Sequence, residues 1–430
     1  LKVATMPAQD QTCYTFIQLP GTFEWVICGV LRVTEVGPNA YRGVFQYGRS
    51  YLARPNATSL DPYHLPLSEK PMEFTQLKGV PGAMRDASPD AWGRRIIQAK
   101  LNLPDTEISE IDYLLNGPDD SAGNLRFDAS TQPPIALRPF NRTHQLQALT
   151  NAAQELEATG RLAHEVLEQL EIGTSMGGAR PKVSVEDEKR IWLAKLPEKN
   201  DRLNMQRIEY ATLELARHVG LDVCRARIEK VGSREALLLE RFDRQWNPDA
   251  HAYARLGLVS GLTVLDAEDG YQGRERWSYL LLADELRRWS SRPAQDLLEL
   301  FRRMVFNAMV TNNDDHPRNH ALLQVKGEWR LSPAYDIVPV PAVSKERRDL
   351  ALQVGRYGRM ANIGNLLSQP DRFGLSVEGA RSEIRLMREK VLHWRGIFRQ
   401  HGVTVADMEA IAPAILPESF ERTTPPDPPL

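Results

Sequence analysis

The stretch Asn312–Pro339, NNDDHPRNHALLQVKGEWRLSPAYDIVP, constrains this chain more than any other. It holds Asp314, an Asn five positions on (Asn319), two short alternating apolar runs and a second Asp, Asp336. The runs 321–325 and 328–331 flank Lys326-Gly327, which suits a two-residue hairpin turn. A hairpin returns its outer ends to one edge. The spacing therefore predicts a polar loop, a hairpin and a second loop, with Asp314, Asn319 and Asp336 meeting at that edge. A lone Asp-x-x-x-x-Asn is usually a solvated loop. The ordered second Asp gives it chemical meaning only if a matching upstream half exists.

Composition sets the setting for that half. The chain has 430 residues, 42% hydrophobic and 26% charged, which predicts a soluble globular protein of two or three domains. A formal net charge of -2 offers no general attraction to nucleic acid. Cys13, Cys28 and Cys224 are widely spaced, without a Cys-x-x-Cys pair, which argues against structural zinc or a disulfide framework and fits a reducing cytoplasm. No apolar run reaches membrane-spanning length and no secretory signal pattern opens the chain. The expected localisation is cytoplasmic, without a membrane partner.

Residues 14–53 read as short strands, including one at Tyr51–Ala53, punctuated by Pro20-Gly21, Gly37-Pro38 and Gly48. Ser88-Pro89-Asp90 predicts a helix start with Pro at the first helical position, and Arg94 and Arg95 read as a charge pair on that helix's surface. Residues 143–171 have helical periodicity. A glycine-rich segment follows, Gly173 to Ala179. Strands are predicted at 181–185 and 191–195, a helix at 208–219 closed by Gly220, and a hairpin across Gly232-Ser233. Helices are expected at 277–289, 294–310 and 377–399, and a disordered Pro-rich tail at 413–430. The division expected from this order is 1–142, a β-rich N-terminal region; 143–250, a small lobe; 251–412, a mainly helical large lobe; and 413–430, the tail.

Phosphoryl transfer needs a backbone cradle, a cation on the phosphates, Mg²⁺ and a group that orients the nucleophile. Protein kinases arrange these as a glycine-rich loop, a strand lysine, a catalytic-loop Asp with an Asn after it, a hairpin and a metal-binding Asp. Gly173, Gly177 and Gly178 can supply the cradle, because glycine permits close backbone approach. Walker A fits less well, since Ala179-Arg180 stand where Lys-Ser/Thr is required. Lys195 ends the run Trp192-Leu193-Ala194, and Glu209 in the next helix can pair with it. Taken alone, each has a plainer reading, a snorkelling lysine and a first-turn Glu complementing the helix dipole. Glu240-Arg241-Phe242-Asp243 falls where a hinge would hold adenine through its backbone, with Phe242 packing on the base or lying in the interior.

These segments together resemble the HipA family of bacterial toxin kinases. The resemblance rests on GTSMGGARPKVSV (173–185), WLAKLP (192–197), IEYATLELARHVGL (208–221), LLLERFDR (237–244), NNDDHPRNHALL (312–323) and LSPAYDIVP (331–339). The strands near the N-terminus and SPDAWGRR (88–95) are similar to the family's amino-terminal part. The resemblance implies an α+β, distant protein-kinase-like two-lobed fold with an added N-terminal β-rich subdomain. It implies a serine/threonine kinase toxin of a type II toxin–antitoxin module, using ATP and Mg²⁺. Its partners would be a helix-turn-helix antitoxin (HipB-like) and a protein substrate, an aminoacyl-tRNA synthetase by family resemblance. Operator DNA would be reached only through the antitoxin. Asp314 would be the catalytic Asp, Asn319 and Asp336 the metal residues, and Lys195 a phosphate contact. His316 would lie near the nucleotide, and Ser175 would be the autophosphorylated residue whose modification inactivates the kinase. The stretch after Leu256 lacks the Glu-Asp-x-Cys-Gln pattern associated with the family, and Met176-Gly177 replaces the more usual Ile-Ala. The Asp-x-His-x-x-Asn pattern also resembles phosphoinositide-type kinases.

Two other classes compete. One is a catalytically weak kinase-like scaffold that binds the antitoxin for operon repression, which loss of Asp314 or Asp336 would favour; both are present. The other makes Asp314, Asp315, His316 and His320 a transition-metal hydrolase centre. Against it, Asn319 with Asp336 is an all-oxygen pair suited to Mg²⁺.

Overall fold

The structure is a computed structural model that describes residues 10–132, 139–171, 178–341 and 348–423. The chain divides into two compact units. One comprises Leu1–Ile191, Asp243–Val259 and Gln324–Gly327; the other Trp192–Phe242, Ser260–Leu323 and Glu328–Leu430. Among the described residues no helix is long and apolar enough to cross a membrane.

The first unit is built on an antiparallel sheet of β1 (Asp10–Gln18), β2 (Trp25–Gly37), β3 (Ala40–Tyr47), β4 (Met72–Phe74) and β5 (Leu125–Asp128), in the order β4-β3-β2-β1-β5. Period-two burial fixes its register: Gly43, Phe45 and Tyr47 of β3 are buried while Arg42 and Gln46 face outward. Gly43 is needed for close approach, since a Cβ there would lie 1.7 Å from the carbonyl oxygen of Gly79. Cys13 and Cys28 are buried in this sheet as free thiols, and burial pushes Cys13 up to about 12. The strand expected at Tyr51–Ala53 is instead a helical turn, Arg49–Leu52. Gly48 donates the last bond to Cys28 O, and the chain then closes on itself through Leu52 N to Gly48 O, while Tyr51 stacks on Tyr47 at 5.9 Å.

The helix spans Ala91–Leu101 and so starts two residues later than a first helical position at Pro89. Asp90, not a residue before it, is the N-cap and accepts from Gly93 N at 2.9 Å. Arg94 is not a surface charge. It donates to Glu110 at 3.0 and 2.5 Å and lies 4.1 Å over the Tyr113 ring. Glu110, only 5% exposed, also holds Arg85 and Lys78. Lys182, 2% exposed, opens the strand Lys182–Asp187 and is neutralised by Asp90 at 2.9 Å while donating to Gly178 O at 3.0 Å. That strand pairs in parallel with Asn141–Arg142. The predicted turn around Glu186–Lys189 forms at Glu188-Lys189, both with positive φ, 48° and 61°. Asp243 and Arg244 are buried in the same unit. Asp243 accepts from Gly123 N at 2.8 Å, and Arg244 donates to Asp120 at 2.8 and 3.0 Å.

In the second unit Trp192–Lys195 pairs antiparallel with Arg234–Glu240, which pairs with Ala226–Val231. Helix Met205–Val219, capped by Asn204 and ended by Gly220 at φ 104°, packs on these strands. Helices Tyr279–Trp289 and Pro293–Val310 form a buried pair. The single helix expected over 377–399 is two, Val377–Val391 and Trp394–Gln400. At the break His393 N bonds Lys390 O, three residues back, and Trp394 then meets Phe398 edge to face at 5.2 Å. The tail reading does not hold over 413–423. Leu416 N bonds Met309 O at 2.7 Å, Thr311 Oγ1 bonds Ala414 O at 2.6 Å, and Phe420 is fully buried. Proline here ends helices and the apolar residues between them find the core.

Candidate active site

The hairpin forms as the sequence requires: Ala321–Val325 and Glu328–Leu331, with Lys326 and Gly327 at φ 53° and 86° in its turn. Ser332 N bonds Ala321 O at 2.8 Å and closes the open end. The loop before it is folded by His316 N to Asp314 O (2.8 Å) and Asn319 Nδ2 to Asp314 O (3.1 Å). Asn319 therefore spends its amide hydrogen on the loop, and its Oδ1 is the atom suited to a cation. Asp314 is exposed, and its carboxylate has no hydrogen bond or ion pair among the described residues.

Asp336 opens the second loop in a left-handed conformation, φ 58°, a region where Asp is one of the few tolerated side chains. Its Oδ1 lies 2.6 Å from Lys195 Nζ. The same Nζ lies 2.7 Å from Glu209 Oε1. Burial works against the Lys195 charge, but the carboxylates of Asp336 and Glu209 outweigh it and raise its pKa above the ordinary lysine value. Glu209 sits in the second turn of Met205–Val219, so the first-turn dipole reading fails and the pairing role stands. Cys224, whose thiol burial pushes up to about 12, lies beside this pair.

Among the other expected residues, Phe242 meets Tyr335 at 5.4 Å, and Tyr335 donates to Arg318 O at 2.7 Å. Glu240 N is already bonded to Arg225 O at 2.8 Å. His316 has its Nδ1 buried with no partner among the described residues, and its ring lies 6.4 Å from Trp277. Gly178, in the first unit, has φ 104° and accepts from Lys182. Gly173, Ser175, Met176 and Gly177 lie outside the described residues.

The hydrolase grouping does not assemble. Asp315 and His320 are buried and bonded to each other at 3.2 Å and to Tyr279, while Asp314 is exposed, and no metal-holding group of His, Cys, Asp or Glu occurs among the described residues. Asp336 and Asn319 offer oxygen ligands whose chemistry fits Mg²⁺, and Asp336 lies beside Lys195, a cation suited to phosphate.

Reading residue by residue missed Lys182, which is held by an Asp 92 positions away, and the buried side chains Tyr279, Asn307 and Asn312 behind the loops. The one legible signal was Asn307, a polar residue on the buried side of an otherwise apolar helix end, Met304 to Val310.

Comparison with known proteins identifies the family. A HipA-like C-terminal domain matches residues 174–395 and a HipA N-terminal domain matches 26–128. A chain of the Shewanella oneidensis MR-1 toxin–antitoxin complex of HipA, HipB and its operator DNA superposes with a TM-score of 0.63 at 16% identity, covering 94% of each chain. The fold is thus α+β and distantly protein-kinase-like. The chain belongs to the HipA family. Among curated proteins it is 28% identical over 157 residues to Y4mE of Sinorhizobium fredii, 36% of this chain and 37% of that one. It is 24% identical over 162 residues to the serine/threonine-protein kinase toxin HipA of Shewanella oneidensis, 34% of this chain and 36% of that one. The match spans about a third to a half of the length of the curated relatives.

Proposed function

We propose that this chain is an ATP- and Mg²⁺-dependent serine/threonine protein kinase acting as a HipA-like toxin. The observation that carries this reading is Lys195 held between Glu209 and Asp336 at 2.7 and 2.6 Å, in the strand, helix and post-hairpin loop that phosphoryl transfer requires. Mg²⁺, when bound, neutralises charge on the nucleotide phosphates. Asp336 and Asn319 Oδ1 would hold it, and Glu209 keeps Lys195 charged and in place to meet a phosphate oxygen. Asp314, exposed and unengaged, orients the acceptor hydroxyl and takes its proton. Backbone groups of the segment Glu240 to Phe242 bind adenine and Phe242 packs on it; Glu240 N is bonded to Arg225 O, so Glu240 contributes its carbonyl. His316 is the residue assigned to the neighbourhood of the nucleotide.

The protein substrate in this reading is an aminoacyl-tRNA synthetase, whose phosphorylation arrests translation. The partner is a HipB-like helix-turn-helix antitoxin, and operator DNA is reached through it. The Shewanella HipA complex with HipB and operator DNA supports that partnership by likeness of family. Autophosphorylation at Ser175 closes the kinase down, because about -1.5 to -2 charges are added beside the site for ATP's own phosphates.

The test is Asp336→Asn. The amide keeps size and tolerates the left-handed backbone but cannot neutralise the cation. A folded variant is expected to lose Mg²⁺-dependent transfer of labelled γ-phosphate. Wild-type transfer by that variant would refute the assignment.

A further inference from the structure

Behind the two loops runs a chain of buried polar side chains. His320 Nε2 lies 3.2 Å from Asp315 Oδ2, and the Tyr279 hydroxyl donates to the same oxygen. Asn307 Nδ2 donates to that hydroxyl at 3.0 Å, and Asn312 Nδ2 donates to Asn307 Oδ1 at 3.1 Å. The same Nδ2 lies 3.5 Å from the backbone oxygen of Asp336, and Val340 N bonds Thr311 O at 3.1 Å beside it. Tyr279, Asn307, Asn312, Asp315 and His320 are each at most 3% exposed.

Burying that much polarity costs free energy unless every member is bonded. An apolar core would hold the helices Tyr279–Trp289 and Pro293–Val310 together without it. The chain's two ends explain its use. Asn312 and Asp315 lie on either side of Asp314 in one loop, and Asn312 also reaches Asp336. The backbone at both Thr311 and Asp336 is left-handed, φ 53° and 58°, a conformation that neighbouring bonds must hold in place. Hydrogen bonds have fixed lengths and directions, whereas apolar packing tolerates sliding.

We propose that Tyr279 is a positioning residue. Its hydroxyl, bonded to Asp315 and to the Asn307 that holds Asn312, ties together the two sides of the Asp314 loop, and through Asn312 sets the spacing of that loop from Asp336. The catalytic half of this inference rests on the kinase reading; the coupling of the two loops does not.

Tyr279→Phe deletes one oxygen and leaves the ring, including its edge contact with His320 at 5.5 Å. Tyr113→Phe serves as control, because Tyr113 is equally buried and its hydroxyl bonds Asp105 at 2.7 Å, far outside the relay. Two readouts are taken on the full chain: phosphate transfer at varied Mg²⁺ and ATP, and amide hydrogen exchange across 311–340. Tyr279→Phe is expected to lower kcat about tenfold to a hundredfold and to raise the Mg²⁺ concentration needed for half-maximal rate, with the ATP KM changed less than threefold. It is also expected to speed exchange at 312–316 and 334–337 together, and Asp315→Asn, which keeps an acceptor for the hydroxyl, is expected to retain more of both. Tyr113→Phe is expected to change neither readout beyond its effect on stability. Unchanged kcat, Mg²⁺ dependence and exchange in Tyr279→Phe would overturn the proposal, as would exchange that rises at only one of the two loops. A wild-type chain with no transfer activity would refute the kinase reading, and the exchange readout alone would then decide whether the loops are coupled.

Discussion

Replacing Lys195 with methionine isolates the charge arrangement that organises the site. Glu209 is 7% and Asp336 33% exposed at the side chain, and both carboxylates contact Nζ. Without Nζ they face each other no more than about 5 Å apart, where an effective dielectric near 20 gives a repulsion of about 3 kcal/mol. Removing one partner of a buried pair costs about 3–5 kcal/mol, and the exposure of Asp336 places this case at the lower end, about 3 kcal/mol. For a unit of about 200 residues that lowers Tm by roughly 6–12 °C. The loss has a pH signature. A stranded carboxylate has its folded pKa raised above the unfolded value of about 4.3, so it is least harmful below that pH and most harmful once pH exceeds the raised value. Lys195→Met is therefore expected to be closer to wild type at pH 5 than at pH 8. Lys195→Met combined with Glu209→Gln leaves only the part-exposed Asp336 and is expected to recover at least about half of the loss. Thermal unfolding followed by tryptophan fluorescence at both pH values measures all of this. If the single variant melts with wild type at pH 8, or the double variant is no more stable than the single, the carboxylates do not depend on Lys195 and the reasoning fails.

Three further outcomes are expected. Asp314→Ala binds Mg-ATP in calorimetry within about threefold of wild type, yet transfers no phosphate and does not arrest growth; retained toxicity would assign growth arrest to something other than phosphoryl transfer. Incubation with Mg-ATP adds one phosphate at Ser175, visible by mass spectrometry, and the modified protein binds ATP at least about tenfold more weakly; equal binding would leave Ser175 a turn residue. Glu110→Gln destabilises the chain by about 3 kcal/mol in urea at pH 7. Burial raises the Glu110 pKa, but Arg94, Arg85 and Lys78 outweigh it and hold it below the usual carboxylate range, so its contribution is present above the unfolded pKa and fades as pH falls through the folded one. The variant is expected to converge on wild type in acid; a gap that widens there would contradict the sign.

How much of this was legible follows from the range of the signals. Lys326-Gly327 and the alternating runs are local, so the hairpin could be read directly. Lys195 with Glu209 needed only the order strand, then helix. The left-handed backbone at Asp336 could not be read, because Asp tolerates that conformation without demanding it. The relay through Tyr279 could not be read either: its partners are 28 and 36 positions away, and a tyrosine in an apolar helix looks like ordinary core. The tail failed for a related reason. Proline density signals a lack of regular structure, whereas Ile415 and Phe420, buried against the helices, decide whether the segment is ordered. Tyr51 failed because a single buried aromatic fits a helical turn as readily as a strand.

The pairing of Lys182 with Asp90 bears on how this chain can be cut and how it can be inherited. The stretch recognisable as the HipA-like C-terminal domain begins at residue 174. A fragment starting there would keep Lys182 and lose the carboxylate that neutralises it. It would keep Arg244 with Asp243 but lose Asp120, which is buried with it to 2% exposure at the side chain, and would strip the strand Lys182–Asp187 of its parallel neighbour. Such a cut would open to water the surfaces that these pairs seal, and would lose the burial they provide, about 25 cal/mol for each Å² of apolar surface exposed. Shuffling that fragment onto a different N-terminal partner would require that partner to bring its own acids to the same two places. The β-rich strands and the opening strand of the recognisable C-terminal domain thus belong to one compact unit.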